Sequence, residues 1–364
     1  MAFALLLALP LVYIFYIKTN IIALYHGKNT GFFYALVQLI YPRFFVELHR
    51  FDLDFFLSHA AQVIWRFELV SIISLLAVYF YQQSQKFALQ WHGFWSINFS
   101  EFNDRINHLI TFAAILYYFH DFMESYTSWI QYKAFYQPIL LLKLFQIPLW
   151  STATVQILFA IFIGAAISAA LYKQLKISTI AVCLLFILFQ GWNYSFGKIN
   201  HGFALLTYIS MILVVQSYLP QHKKGITLQL IRVTIASCYL MAGLEKLFIS
   251  HFTWVSSHTF KAYLMLHPTA LGLQVIKNDL LCTLLPSVAL AIQLGFICIL
   301  FYPPLKKWIL MSGVLFHFGT VALLGISSYF HPWVICYVFF IDWENLVLDL
   351  KLFHLFQKKT YNLI

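Results

Sequence analysis

The sequence predicts an all-α integral membrane protein, a bundle of about ten transmembrane helices, on three observations. Of its 364 residues 62% are hydrophobic and only 10% charged, against roughly 45–50% and about 25% in soluble domains. Aromatic residues make up 19%, and a mean hydropathy of +0.78 leaves too little polar side chain to wrap a water-soluble globule of this size. The apolar residues fall into runs close to the roughly 20 that a helix needs to cross a bilayer.

Those runs predict spans over 1–17, 61–81, 106–123, 152–171, 179–197, 201–219, 228–248, 283–302, 308–329 and 331–348. The first lacks the basic start and small-residue cleavage site of a secretory signal, so it is read as a retained span. Residues 31–46, 124–150 and 249–282 are less regular. The last of these carries His251, Trp254, His258, His267 and Pro268 between apolar runs, which predicts a structured loop or re-entrant segment. Ala160, Gly164 and Ser168 put small residues one turn apart, a spacing that lets two membrane helices pack closely. No fixed-period repeat and no Gly/Ser-rich or Pro-rich linker interrupts the chain, so residues 1–364 are read as one membrane domain.

The 23 basic and 13 acidic side chains give a net charge of +10, but the positives stand singly or in pairs. That pattern fits anchoring at a lipid surface and excludes a nucleic-acid-binding stripe. From residue 152 onward, alternation places Lys173, Lys176, Lys223, Lys224, Lys306, Lys307, Lys351, Lys358 and Lys359 on one side. The positive-inside rule makes that side, and the C-terminus, cytoplasmic. The same alternation puts His120, Asp121, Asn200, His201, Glu245, Lys246 and His331 at outer helix ends. Lys18, Lys28, Arg43 and Arg50 would face outward too, so the orientation of the N-terminal third stays open.

Five cysteines, an odd number without C-x-x-C, indicate neither a disulfide framework nor a dithiol centre. None of the 14 histidines forms H-x-x-H, H-x-x-x-H or H-H, so no metal site is expected and a di-iron hydroxylase is disfavoured. Trp91-His92-Gly93 resembles an element of membrane-bound O-acyltransferases, but it stands too early in the chain for that family. His26, His49, His59, His222 and His354 read as interfacial residues. Glu245 and Lys246, in contrast, close an otherwise apolar helix. An ionisable group in that setting costs a few kcal/mol unless it is paired or faces a cavity, which makes it a functional candidate. The competing reading is a lysine that snorkels to the headgroups. Gly243, nearby, allows a neighbouring helix or ligand to approach.

Ala242-Gly243-x-x-Lys246-Leu247 followed by Trp254 resembles the signature of the vitamin K-dependent γ-carboxylase-like (HTTM) superfamily of membrane domains. Asn200-His201-Gly202-Phe203 is similar to that family's Asn-His pair. Phe316-His317-Phe318, and Leu324-Gly325-Ile326 before Phe330-His331-Pro332-Trp333, resemble its histidine-bearing penultimate span and the turn into its last one. The resemblance covers about residues 60–348. It implies a reduced, vitamin K-like quinone as cofactor, Lys246 as the base that deprotonates it, His201 assisting and Asn200 orienting His201. Gly243, Glu245, Trp254, His317 and His331 would support them. A lysine withdrawn from water can hold a neutral amine able to take a phenolic proton near neutral pH, and oxygen addition to the anion would give a stronger base.

Ser257 stands where the family commonly has glycine, and Phe203 where the carboxylase has tyrosine. The chain ends at Ile364 without the carboxylase's large lumenal domain, which speaks against protein carboxylation. The expectation is therefore divided between a quinol-dependent enzyme, epoxidase-like in its half-reaction, and a non-catalytic lipid-binding or accessory scaffold. The first would have a peptide or other acceptor substrate and the second a partner protein that copurifies; a transporter ranks behind both.

Overall fold

In the computed structural model every regular element among the described residues is helical. Described are residues 10–28, 30–40, 44–196, 201–325 and 331–349, without the side chains of 40, 140, 201, 249–251, 348 and 349. Of the positions singled out above, Arg43, Asn200, Ile326, Phe330, Lys351, His354, Lys358, Lys359 and Ile364 lie outside this set. So does the side chain of His201.

Six helical stretches among the described residues are long and apolar enough to cross a membrane: Leu53–Gln83, Thr152–Ala170, Leu175–Tyr194, Gln221–Phe248, Asp279–Leu300 and Pro303–Leu324. Pro10–Tyr25 and Ala204–Tyr218 are shorter apolar helices. A multi-pass membrane protein accounts for these lengths and for the large apolar side chains left on the outside. The helix Leu53–Gln83 (α1) shows this most plainly. No residue of its most apolar stretch is buried, and Trp65 and Phe67 are 55% and 63% exposed. It begins eight residues before the predicted span because Asp52 caps it, accepting from the Phe55 amide at 2.9 Å, which satisfies one of the orphan N–H groups of the first turn.

The chain divides into two compact units. The first combines residues 1–96, 126–152 and 188–198. Its N-terminal part packs Ile21, Leu24, Phe33, Phe44 and Phe56 into a small apolar core. Elsewhere in this unit Tyr126 and Trp150 close round the fully buried Trp192, with ring centroids 5.2 and 5.4 Å from it. The Tyr126 hydroxyl donates to the Trp150 carbonyl at 2.8 Å.

The second unit combines residues 97–125, 153–187 and 199–364. Its elements are α2 (Glu101–Tyr118), α3 (Thr152–Ala170), the first part of α4 (Leu175–Tyr194), α5 (Ala204–Tyr218), α6 (Lys224–Ser250), α7 (Ser257–Leu266), α8 (Asp279–Gly295) and α9 (Lys306–Leu324). The central helix is α6, which packs against α5 on one side and α8 on another. Residues 331–349 do not form one long rod. They run as Pro332–Ile335, Cys336–Phe340 and Trp343–Asp349, tied to α6 where Arg232 Nε donates to the Phe339 carbonyl at 2.8 Å. The irregular stretch after α6 is also helical: a 3-10 turn at His251–Val255, then α7, then Ala270–Val275.

Ser100 caps α2, accepting from the Asn103 amide at 3.3 Å, so this helix starts before the apolar run that sequence patterning detects. Asp104, Asn107, His108 and Thr111 lie along one face at helical spacing and are all buried. Asp104 accepts hydrogen bonds from Tyr172 Oη at 2.6 Å and Gln216 Nε2 at 3.1 Å, with His108 Nδ1 3.3 Å away. Trp343 Nε1 donates to Asn107 at 3.1 Å. Basic side chains collect at this same end: Arg105 lies 5.2 Å over Tyr172, Lys176 5.4 Å over Tyr218 and Lys224 5.4 Å over Phe99. Lys224 opens α6 and Lys246 falls in its last turns, so a helix of 27 residues separates the basic end from the site described next.

Candidate functional site

At the far end of α6 the chain turns through His251–Val255 into α7, and this turn folds Trp254 back towards Lys246. Lys246 Nζ sits 5.2 Å over the Trp254 ring, within reach of a cation–π attraction, and donates to the Ala242 carbonyl at 3.3 Å. Both side chains line a cavity of about 590 Å³, within the roughly 300–1,000 Å³ of ordinary small-molecule sites. Its wall is completed by α7, α8 and α9, with Phe260, Tyr263, Pro286, Gln293, Phe316 and Thr320 among the lining residues. An ion pair between Lys261 and Asp279 joins α7 to the start of α8.

Gly243 explains how α6 and α8 come so near each other. A Cβ at this position would lie 2.8 Å from Leu294 Cδ2 and 3.2 Å from Gln293 Cβ. Glu245, about 100° round the helix from Lys246, is exposed and does not line the cavity.

His317 and His331 do not line the cavity either. They belong to a buried polar chain on another face of α9. Tyr337 Oη donates to Tyr239 Oη at 2.6 Å, and Tyr239 Oη is hydrogen-bonded to His317 Nε2 at 2.5 Å. The His331 ring stacks on His317, with centroids 4.2 Å apart and planes 21° from parallel, and its Nδ1 caps the short helix Pro332–Ile335 by accepting from the Trp333 amide at 3.2 Å. Phe296 lies against Tyr239 at 4.2 Å between centroids. Thus α9 serves both sites: Phe316, Gly319 and Thr320 face the cavity, and His317 joins the chain.

No protein-family model, no curated protein and no solved structure matches this chain.

Among the described residues no three His, Cys, Asp or Glu side chains come together as a metal-holding group. The polar groups of the lining residues are the Lys246 amine, the Gln293 amide, the Trp254 indole N–H and the hydroxyls of Tyr263, Ser312 and Thr320, set in an apolar and aromatic wall. That lining is chemically suited to an amphipathic organic molecule. The sequence pointed to Lys246, Gly243 and Trp254. It gave no sign that Tyr239, Tyr337 and Gln293 would be drawn to the same region, because each stands alone in an apolar run.

Gly313 is where the tyrosine chain is most sensitive. A Cβ here would run into the Tyr337 hydroxyl and lie 2.8 Å from Tyr337 Cζ. Gly313→Ala is therefore expected to displace Tyr337, break its bond to Tyr239 and cost about 1–3 kcal/mol. Thermal unfolding in detergent measures this, and an unchanged melting temperature would mean that the ring has room to move.

Proposed function

We propose that this chain is a membrane domain related to the vitamin K-dependent γ-carboxylase-like superfamily, with about ten spans, and that its cavity binds a lipid-soluble hydroquinone. The observation that carries this reading is Lys246 on the wall of an apolar cavity of about 590 Å³, with its Nζ over the Trp254 ring. Lys246 acts as general base on a phenolic hydroxyl of the head. Removing an amine from water favours its neutral form, and a neutral amine within reach of the hydroxyl takes the proton as the phenolate forms. Trp254 and Phe316 flank the head, and the tail runs towards lipid along α8 and α9. Two members of the motif set, Asn200 and His201, are assigned by resemblance alone, as the orienting and assisting groups.

The basic end of the second unit is read as cytoplasmic under the positive-inside rule, with the C-terminus on that side and the cavity towards the outer leaflet. Membrane lipids are then the source of the ligand, and a partner protein or peptide is the acceptor of whatever the deprotonated, oxygen-reacted head goes on to do.

The test is oxygen-dependent oxidation of a reduced naphthoquinone by the purified protein in lipid nanodiscs, measured against empty nanodiscs. Protein-dependent oxygen uptake with conversion of the hydroquinone supports the enzyme reading. No uptake, together with a ligand that nevertheless copurifies and occupies the cavity, would leave a lipid-binding scaffold in its place.

A further inference from the structure

The last segment of the chain meets α6 near its basic end. Arg232 lies eight residues along α6 from Lys224, about 12 Å at the rise of a helix, and inside the stretch Gln221–Phe248 that is apolar enough to cross a membrane. A charge in that setting needs a partner or a polar surface. Residues Cys336–Phe340 form a 3-10 turn that stops where the backbone becomes extended at Ile341, so no further turn closes on the Phe339 carbonyl. Arg232 Nε donates to that carbonyl at 2.8 Å, and the guanidinium carbon lies 6.0 Å from the centre of the Phe340 ring. Both phenylalanines are buried, and the bond and the ring together hold the guanidinium in place.

The Phe339 carbonyl occupies Nε alone. The two Nη groups, the open edge of the fork, make no ion pair among the described residues and are not enclosed, because Arg232 is only half-buried. The charge of Asp342 reaches Arg232, but this carboxylate is already engaged. It accepts from Asn103 Nδ2 at 3.2 Å and from Asn345 Nδ2 at 2.7 Å, and it caps Trp343–Asp349 by accepting from the Asn345 amide at 3.3 Å. Lys306, at the start of α9, feels the charges of both Arg232 and Asp342. It too is half-buried and makes no ion pair among the described residues. Two cations thus share one carboxylate that other donors hold, and one positive charge is left over. A strut tying the last segment to α6 needs only the Nε bond. An open fork with a second cation beside it is what an anion needs.

We infer that Arg232 and Lys306 form a binding site for the phosphate of an anionic phospholipid, in the leaflet at the basic end of the second unit. The planar guanidinium matches two phosphate oxygens at once, and the ammonium adds a compact point charge. The ligand is a lipid because Arg232 stands on a membrane-crossing helix, where a phosphate carried on acyl chains arrives without being drawn out of bulk water; basic pockets between such helices take lipid headgroups in this way. The site stands apart from the cavity at the far end of α6 and does not depend on what that cavity binds.

Native mass spectrometry of the full chain in detergent tests this. The delipidated protein is titrated with palmitoyl-oleoyl phosphatidylglycerol or with the phosphatidylcholine of the same acyl chains, and the dissociation constant of the first bound lipid is read for each. The unmodified protein is expected to prefer phosphatidylglycerol by about tenfold. Lys306→Gln should weaken phosphatidylglycerol binding about fivefold, the usual share of one basic side chain. Arg232→Gln should weaken it at least as much, and neither should change phosphatidylcholine binding. Lys307→Gln removes the same charge from the adjacent, exposed position and should leave the preference intact. Should Arg232→Gln fail to fold, the two lysine variants and the preference of the unmodified protein still decide the matter. Equal binding of the two lipids by the unmodified protein would overturn the site. Equal losses in Lys306→Gln and Lys307→Gln would overturn it as well, since they would mean diffuse attraction to a basic surface. Displacement of phosphatidylglycerol by millimolar inorganic phosphate would assign the two side chains to a dissolved anion and overturn the lipid as their ligand.

Discussion

Lys246→Met is expected to lower protein-dependent oxidation of a reduced naphthoquinone by about 10²–10⁴-fold, the usual contribution of a positioned general base. Methionine has nearly the length of the lysine stem and no amine, so it fills the same part of the cavity. The ammonium touches the Ala242 carbonyl at 3.3 Å and the Trp254 ring at 5.2 Å and feels the charge of the neighbouring Glu245. The melting temperature should therefore hold or rise, because a polar group has left an apolar wall. Glu245→Gln makes the comparison sharp: Glu245 is exposed and does not line the cavity, and it acts on Lys246 through its charge alone, so its loss should change the rate far less than loss of the amine. A rate in Lys246→Met equal to that of the unmodified protein would move the base elsewhere.

The largest loss of stability is expected at the opposite end of α6, from Asp104→Leu. The buried carboxylate accepts from Tyr172 and Gln216 and lies beside His108. An apolar replacement of similar size leaves those donors without an acceptor in a place closed to water, at a cost of about 3 kcal/mol or more. Chemical unfolding in detergent should show the midpoint falling by a corresponding amount, and a change below about 1 kcal/mol would mean that the network is paired through groups other than Asp104. The same contact has a pH signature. Burial first, and then the charge on Asp104, hold the Tyr172 hydroxyl well above the ordinary phenol range. Its folded value is raised, so the stability it supplies is complete below pH 10, the ordinary value, and is lost progressively above it as the unfolded chain releases the proton first. In Tyr172→Phe that alkaline slope should shrink.

Much of the fold was legible because hydropathy and length suffice to find a helix that faces lipid. Leu53–Gln83, Thr152–Ala170, Asp279–Leu300 and Pro303–Leu324 each overlap a predicted span, with ends shifted by caps such as Asp52 and Asn278. Hydropathy serves less well where a segment is buried in protein on every side. Residues 331–348 are apolar enough to be read as one rod, yet Cys336–Phe340 are all buried and the backbone there breaks into short turns that follow the surface of α6. Glu101–Tyr118 starts five residues before the predicted span for the opposite reason: its buried Asp104, Asn107 and His108 look like loop residues until Tyr172, Gln216 and Trp343 are seen to pair with Asp104 and Asn107.

The candidate site divides in the same way. Lys246 stood out as a charge in apolar sequence, and Gly243 and Trp254 followed from their spacing to it. The pairing of Tyr239 with Tyr337, 98 positions apart, depends on how closely α9 lets the last segment approach at Gly313, and no local pattern encodes that. Gln293 reaches the cavity through the close packing of α8 on α6 at Gly243, which no local pattern encodes.

The central claim is that the cavity between α6, α7, α8 and α9 takes a lipid-soluble aromatic hydroxyl compound. Photolabelling tests it most directly. A naphthol carrying a short diazirine-bearing tail is irradiated with the full chain in nanodiscs, and the modified residues are located by mass spectrometry. The account predicts labels concentrated on α8 and α9 at the cavity wall, at Leu285, Ala289, Leu315 and Phe316, and suppressed by excess unlabelled naphthol. Labels spread without competition over lipid-facing residues such as Trp65, Phe67 and Ile73 of α1 would contradict it.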